Sequence, residues 1–282
     1  MSSARLQNAQ ADRGNRPEVP GTACSLIELS GVSKTFGARD SRSMALKDIS
    51  FSVDEREFLA IVGPSGCGKS TLLQIIAGLL PRSGGDVRID GQDVQQPPDG
   101  VVYLFQQYNK SLFPWRTNSE NVQFAVEHRA GVTRREARER SLHFLELVGL
   151  RDAADKYPRQ LSGGMQQRVA IARALAANPR VLLLDEPFSS VDALTRLELH
   201  QLVLDLWTRH FLTVVLVTHD VEEAVFLSDR ILVLSKQPTV VVEAIQTGLA
   251  RPRDKVTTLE QPRFLEVRHY LLNKLLGGAR NA

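Results

Sequence analysis

The chain has 282 residues, 43% of them hydrophobic and 24% charged, with a formal net charge of +3. That length can bury a sizeable core, and the composition is that of a soluble α/β protein, not of a disordered or disulfide-framed one. The charge excess is too small to argue for nucleic acid: the densest basic run, Arg134 to Arg140, is interleaved with Glu136 and Glu139 and reads as a solvated helix face. The two cysteines, Cys24 and Cys67, show neither metal-ligand nor disulfide spacing, which points to a reducing compartment. No apolar run in the sequence approaches the length of a transmembrane helix.

In chain order, residues 1–24 are polar, contain Gly14, Pro17 and Pro20, and lack the apolar centre of a signal peptide; they read as a disordered leader. Short apolar runs predict strands at Leu26–Leu29, Ile49–Val53, Phe58–Val62, Val87–Ile89 and Val101–Phe105. Asp90-Gly91 predicts a tight turn and a small antiparallel edge. A helix is expected from Lys69 to near Gly78, before Pro81. From about Gln107 to Ala177 no strand is apparent, and the region reads as a helical insertion. Within it Thr133 caps a charged helix running to Gly149. Ser162 caps another, with Met165, Val169, Ala172 and Ala176 on one face and Asn178-Pro179 as the stop. Met165 stands where Glu or Gln would complete a capping box.

Further strands are expected at Val181–Leu184, Thr213–Thr218 and Ile231–Leu234. Two of them, at Val181–Leu184 and Val214–Val217, are apolar without alternation, as parallel strands covered on both faces are. After about Lys236 come a short strand, Val240–Val242, and an amphipathic helix with Phe264, Val267, Leu271, Leu272 and Leu275. The expected organisation is therefore leader (1–24), an α/β domain (25–238) with a helical part at about 107–177, and a tail (239–282). The fold class is α/β, with a mostly parallel sheet and a small antiparallel subdomain.

The chemistry begins at Gly63-Pro64-Ser65-Gly66-Cys67-Gly68-Lys69-Ser70-Thr71, a P-loop pattern directly after a strand and before a helix. Small residues let successive backbone N–H groups wrap an anion, and the helix N-terminus adds its positive end. Lys69 would reach the β- and γ-phosphates and the Ser70 hydroxyl would bind Mg²⁺. Cys67 needs no redox role there. Downstream, Val181–Leu184 delivers Asp185 and Glu186 to the carboxyl edge of the sheet, where open α/β sheets bind ligands. Asp185 is a candidate Mg²⁺ holder, and Glu186 a candidate general base for an attacking water. Gln106, Asp192 and His219 follow strands on the same edge. Alone each would pass as structural; their order along the chain gives them weight.

Between Gln106 and Asp185 lies Leu161-Ser162-Gly163-Gly164-Met165-Gln166-Gln167-Arg168. This octapeptide resembles the signature motif of the ABC ATPases, and the ordered set P-loop, Gln, signature, Asp-Glu, Asp, His resembles that family over roughly Leu26 to Ser235. The resemblance implies the ABC ATPase fold of a P-loop NTPase, ATP and Mg²⁺ as cofactors, and an ATP-sandwich dimer. In it Ser162, Gly163 and Gly164 cap the nucleotide held by a second copy, and Asp192 works across the interface. It implies that Gln106 contacts Mg²⁺ and the water, that His219 contacts the γ-phosphate, and that Phe36 stacks on adenine. Lys69, Gln106, Glu186 and His219 would carry the hydrolysis.

A narrower likeness, carried by Leu112-Phe113-Pro114-Trp115-Arg116-Thr117, Asp192-Ala193-Leu194-Thr195-Arg196 and Arg251-Pro252-Arg253-Asp254, is to the ATPases of nitrate, sulfonate and taurine importers. It implies integral membrane permease subunits as partners, a periplasmic or lipid-anchored binding protein acting indirectly, no nucleic acid, and a peripheral place on the cytoplasmic face of the membrane. Trp115 is given no chemical role and reads as core filling. Asn118-Ser119 departs from the apolar residues of that group, at a position expected near the surface that meets the membrane subunit. Two other classes compete. A soluble cassette acting on nucleic acid or ribosomes would typically carry two cassettes or a long coiled coil. A small-molecule kinase would have no use for Leu161–Arg168.

Overall fold

Strand β3 (Phe58–Val62) is apolar and buried at every position because both of its faces are covered. Phe58, Ala60 and Val62 face one core, and Leu59 and Ile61 the other. The computed structural model describes residues 25–37, 43–106, 111–127 and 131–277. The leader at 1–24 with Cys24, the start of the expected insertion at Gln107, and the last five residues of the tail lie outside the described residues.

Two sheets share the second core. The first is antiparallel, in the order β2-β1-β4-β5, from β1 (Ser25–Phe36), β2 (Ser43–Asp54), β4 (Gly84–Ile89) and β5 (Gln92–Asp93). β1 and β2 are longer than their apolar runs because pairing with a partner strand, not hydrophobicity, continues them: Val32 faces Ile49 and Phe36 faces Ser43. Asp90 and Gly91 both take positive φ (53° and 73°), the geometry of a type I′ hairpin turn.

The second sheet runs β10-β9-β3-β8-β7-β6, with β6 (Val101–Leu104), β7 (Val181–Asp185), β8 (Thr213–Val217), β9 (Arg230–Leu234) and β10 (Val241–Gln246). All neighbours are parallel except β10, which pairs antiparallel with β9. Leu182, Leu184, Val214 and Leu216 face the first core, and Val181, Leu183, Val215 and Val217 the second. Helix α1 (Lys69–Ile76) lies in the second core between the sheets, burying Leu72, Leu73, Ile75 and Ile76.

Among the described residues no strand lies between β6 and β7. That stretch holds α2 (Asn118–Gln123), α3 (Arg134–Leu147) and α4 (Gly163–Ala176). Thr133 caps α3, and Glu136 completes a capping box with it; the same box, Thr117 with Glu120, starts α2, which is too short and polar to show by periodicity. Asn118 and Ser119 are buried side chains. They are 0% and 2% exposed; Asn118 Nδ2 donates to the Ala153 carbonyl at 2.7 Å, and the Ser119 and Ser141 hydroxyls share a hydrogen bond of 2.7 Å. Both side chains are thus held inside the helical region, although Asn118 Oδ1 is buried with no hydrogen-bond partner among the described residues. Trp115 departs the other way: it is 71% exposed and stacks on Phe113 at 5.6 Å, so it fills no core.

Among the described residues, three more α-helices follow β7: α5 (Ala193–His210), α6 (Val221–Leu227) and α7 (Pro262–Gly277). Phe264, Val267 and Leu271 of α7 join the first core, with Leu272 and Leu275 packed against it.

Candidate functional site

The loop 63–68 joins the end of β3 to the start of α1. Gly68 is the N-cap of α1, with φ 105°, and no side chain caps that helix; no acidic residue occupies its first turn. Among the described residues, the α-helices starting at Asn118, Arg134, Gly163, Ala193 and Val221 are each capped by a side chain, from Thr117, Thr133, Ser162, Asp192 and Asp220. A helix start whose N–H groups find no side-chain partner, next to a buried lysine, fits a phosphate chain. Lys69 is buried, and its Nζ donates to the carbonyls of Gly63 (2.8 Å) and Pro64 (3.0 Å), which holds its charge within the loop. Ser65 and Gly66 are exposed; Thr71 lies one turn into α1, half-buried. Cys67 is buried, and burial pushes its thiol pKa up, with the Lys69 charge opposing. This suits a packing residue.

Three braces hold the loop that the motif does not reveal. Leu46 of β2 lies against Gly68, where a Cβ would come within 3.1 Å of Leu46 Cδ2. Gln237 Nε2 donates to the Gly66 carbonyl at 2.9 Å, and the Thr239 hydroxyl donates to the Cys67 carbonyl. β2, shortly before the loop in sequence, and the 237–239 segment, 171 residues from Gly66 at Gln237, therefore shape it together.

The carboxyl ends of β3, β6, β7 and β8 lie along one sheet edge and bring the other candidates together. Ser70 Oγ donates to Asp185 Oδ1 at 2.8 Å. Glu186 Oε2 accepts from Gln106 Nε2 at 3.1 Å, and His219 Nδ1 lies 3.1 Å from the same oxygen. Glu186 holds a left-handed backbone, φ 43°, uncommon for a residue with a side chain; its N–H donates to the Val217 carbonyl at the end of β8. That conformation turns the side chain of Glu186 away from the strand line of Asp185. A carboxylate flanked by an amide and an imidazole can accept a proton from a water held beside it. Paired hard oxygens from Ser70 and Asp185 suit Mg²⁺ completed by phosphate oxygens.

Tyr103 was not singled out in the sequence. Its phenol donates to Asp185 Oδ2 at 2.7 Å, and burial together with the Asp185 charge pushes its pKa far up, so it stays a donor. A lone polar-tipped residue in the run Val101–Phe105 was the available signal.

Ser162, Gly163, Gly164 and Asp192 form a separate group. Ser162 Oγ accepts from the Met165 N–H at 3.3 Å and so starts α4. Asp192 Oδ1 accepts from the Thr195 N–H at 3.0 Å and starts α5; such N–H contacts hold its carboxyl below the usual range. Gly164 packs on Thr195: a Cβ there would come within 2.4 Å of Thr195 Cγ2. Among the described residues, no hydrogen bond or ion pair joins these four to Lys69, Ser70, Gln106, Asp185, Glu186 or His219. Phe36, 43% exposed, ends β1; the Lys34 ammonium sits 5.0 Å from its ring centre. It pairs with Ser43, three residues before the Leu46 that packs on Gly68.

The ABC transporter family model matches residues 46–189, a span holding the P-loop, Gln106, the octapeptide and Asp185-Glu186. The chain belongs to the ABC transporter ATP-binding family. It is 40% identical over 263 residues to the nitrate import ATP-binding protein NrtD of Synechococcus elongatus, covering 91% of this chain and 95% of that one. It is 40% identical over 253 residues to the bicarbonate transport ATP-binding protein CmpD of Synechocystis, covering 89% of each. Its fold matches a dimeric post-hydrolysis structure of the ATP-binding cassette MJ0796 bound to ADP and Pi, with TM-score 0.69 and 37% identity, over 78% of this chain and 98% of that one. This cassette is therefore an ATP-binding ATPase of that family. Among its described residues, no helix is long and apolar enough to cross a membrane.

Proposed function

We propose that this cassette is the ATP-hydrolysing subunit of an importer for a small anion of the nitrate, bicarbonate or sulfonate kind. It would act as a pair of copies, docked on the cytoplasmic face of the membrane against integral permease subunits. The observation that carries this reading is the division of the site residues into two groups. Lys69, Ser70, Gln106, Asp185, Glu186 and His219 converge on one sheet edge, while Ser162, Gly163, Gly164 and Asp192 make no polar contact with them. Groups with the chemistry to cap a γ-phosphate, yet unengaged with their own P-loop, are suited to the nucleotide of a second copy.

In this reading Lys69 and the N–H groups of the loop bind the phosphates, with Ser65, Gly66 and Thr71 as part of the same cradle. Ser70, Asp185 and Gln106 hold Mg²⁺, which would neutralise charge on the phosphate oxygens. Glu186 takes the proton of the attacking water, and Gln106 and His219 fix its carboxylate. Phe36 offers a ring face to adenine, with Lys34 against the ring. Tight binding by the paired copies when ATP is bound, and loss of those contacts on hydrolysis, would turn chemistry into motion of the permease.

The anion class is supported by NrtD and CmpD, both named for anion transport and both 40% identical over most of their length. These names also favour transport over a cassette acting on nucleic acid or ribosomes. The test is reconstitution with candidate permease subunits and a substrate-binding protein, scoring ATPase stimulation against nitrate, bicarbonate, taurine and other sulfonates. Stimulation by one of these anions is expected. Failure to co-purify with any permease, or turnover that answers to RNA or ribosomes instead, overturns the proposal.

A further inference from the structure

Asp185 has both carboxylate oxygens engaged, and from two different elements. Ser70 at the start of α1 donates to Oδ1 at 2.8 Å; Tyr103 of β6 donates to Oδ2 at 2.7 Å. β6 and β7 pair in parallel, with Tyr103 opposite Leu183 and Leu104 opposite Leu184. Pairing with Val217 of β8 fixes the backbone at Asp185 but leaves its terminal torsion broad and two-fold, as for any aspartate. The phenol removes that freedom. With Oδ2 held by Tyr103, the carboxylate plane is set and Oδ1 is directed at Ser70.

We infer that Tyr103 is a positioning residue for the metal side of this ATPase site. It acts through Asp185, not on nucleotide, and this rests on the reading of Ser70 and Asp185 as the Mg²⁺ holders. The placement also ties the metal side to the chain that leads to Gln106. The Tyr103 ring packs on Phe105 with centroids 4.6 Å apart, and Phe105 directly precedes Gln106. One side chain thus spans the carboxylate and the base of the segment that reaches Glu186. Partners that orient metal ligands in this way typically govern affinity for the ion as strongly as some ligands do.

The test is Tyr103→Phe, which keeps the ring and its contact with Phe105 and deletes one oxygen. Equilibrium binding of a fluorescent, non-hydrolysable ATP analogue to the full chain is measured without Mg²⁺ and across an Mg²⁺ titration, beside Asp185→Asn. The expected result is a midpoint about tenfold higher in Mg²⁺ for Tyr103→Phe, the low end for a lost orienting partner. Affinity without Mg²⁺ and the melting temperature should match the native chain. A native midpoint in Tyr103→Phe, with Asp185→Asn strongly shifted, overturns the inference. A shift matched by equal loss of Mg²⁺-free affinity overturns it as well, because the phenol would then merely support the fold. If Asp185→Asn itself leaves the Mg²⁺ dependence unchanged, the assignment of the metal holders fails first.

Discussion

Gly66 and Gly68 look alike in the P-loop pattern, yet the structure assigns them different costs for a methyl group. Gly66 has φ 72°, and a Cβ there would meet no protein atom within 4 Å. Alanine at that position pays only the left-handed backbone penalty, about 1–2 kcal/mol. Gly68 has φ 105°, beyond the left-handed region that side chains tolerate, and its Cβ would come within 3.1 Å of Leu46 Cδ2. Strain of this kind costs up to ~3 kcal/mol, and crowding a packed leucine adds roughly 1 kcal/mol or more. The difference between the two variants is then about 2 kcal/mol, or roughly 30-fold in the population of loops able to bind. Fluorescence anisotropy with a labelled ATP analogue would give the two affinities, and thermal unfolding would separate loop effects from loss of fold. Gly68→Ala should bind far more weakly than Gly66→Ala and unfold at a lower temperature, by about 2–4 °C for each kcal/mol of strain the folded loop retains. Affinities within twofold of each other, or the reverse order, would refute the account of how β2 shapes the loop.

Two further outcomes follow from the same geometry. Glu186→Gln keeps the size of the side chain and an oxygen for Gln106, but removes the base; turnover should fall by ~10²- to 10⁴-fold, and ATP with Mg²⁺ should trap a dimer on size exclusion. A variant that stays monomeric under those conditions contradicts the proposed division of the site between two copies. Arg253 has a fully buried side chain that donates to the carbonyls of Phe226 (2.7 Å) and Ser228 (2.9 Å) at the end of α6, and burial, with Arg251 nearby, pulls its pKa down to about 10. Arg253→Met removes the guanidinium donor from the Phe226 carbonyl at roughly 1–3 kcal/mol, while the Ser228 carbonyl keeps the Thr247 hydroxyl at 2.9 Å, and the loss is partly offset by removing a buried charge. A melting temperature about 5–10 °C lower is expected by calorimetry, and an unchanged one would show that water replaces the guanidinium.

Much of the architecture was legible because its signals are local. Continuous apolar runs marked β3, β7 and β8, since a strand covered on both faces needs no polar alternation. Ser162 and Thr133 announced their helices by caps that act within three residues. The order P-loop, Gln106, octapeptide, Asp185-Glu186, Asp192, His219 was enough to name a family, and the family model and the dimeric cassette agree with it. α2 was missed because six polar residues carry no periodicity. The burial of Asn118-Ser119 and the exposure of Trp115 were not legible because residue polarity alone does not tell interior from surface. Asn118 gains one partner inside, the Ala153 carbonyl, and Trp115 rests on Phe113 with most of its surface in solvent.

From the sequence alone came the kind of chemistry: a phosphate loop, a pair of acids after a strand, and a signature that presupposes another copy. Each depends on residues close together in the chain, where spacing translates directly into geometry. Only the tertiary structure decided which side chains meet. Tyr103 reaches Asp185 across 82 residues, Gln106 reaches Glu186 across 80, and Gln237 braces Gly66 across 171. Those encounters follow from strand order and register, which crossover connections and the sharing of two cores set for the whole sheet at once. No local pattern of hydrophobicity or charge encodes that choice.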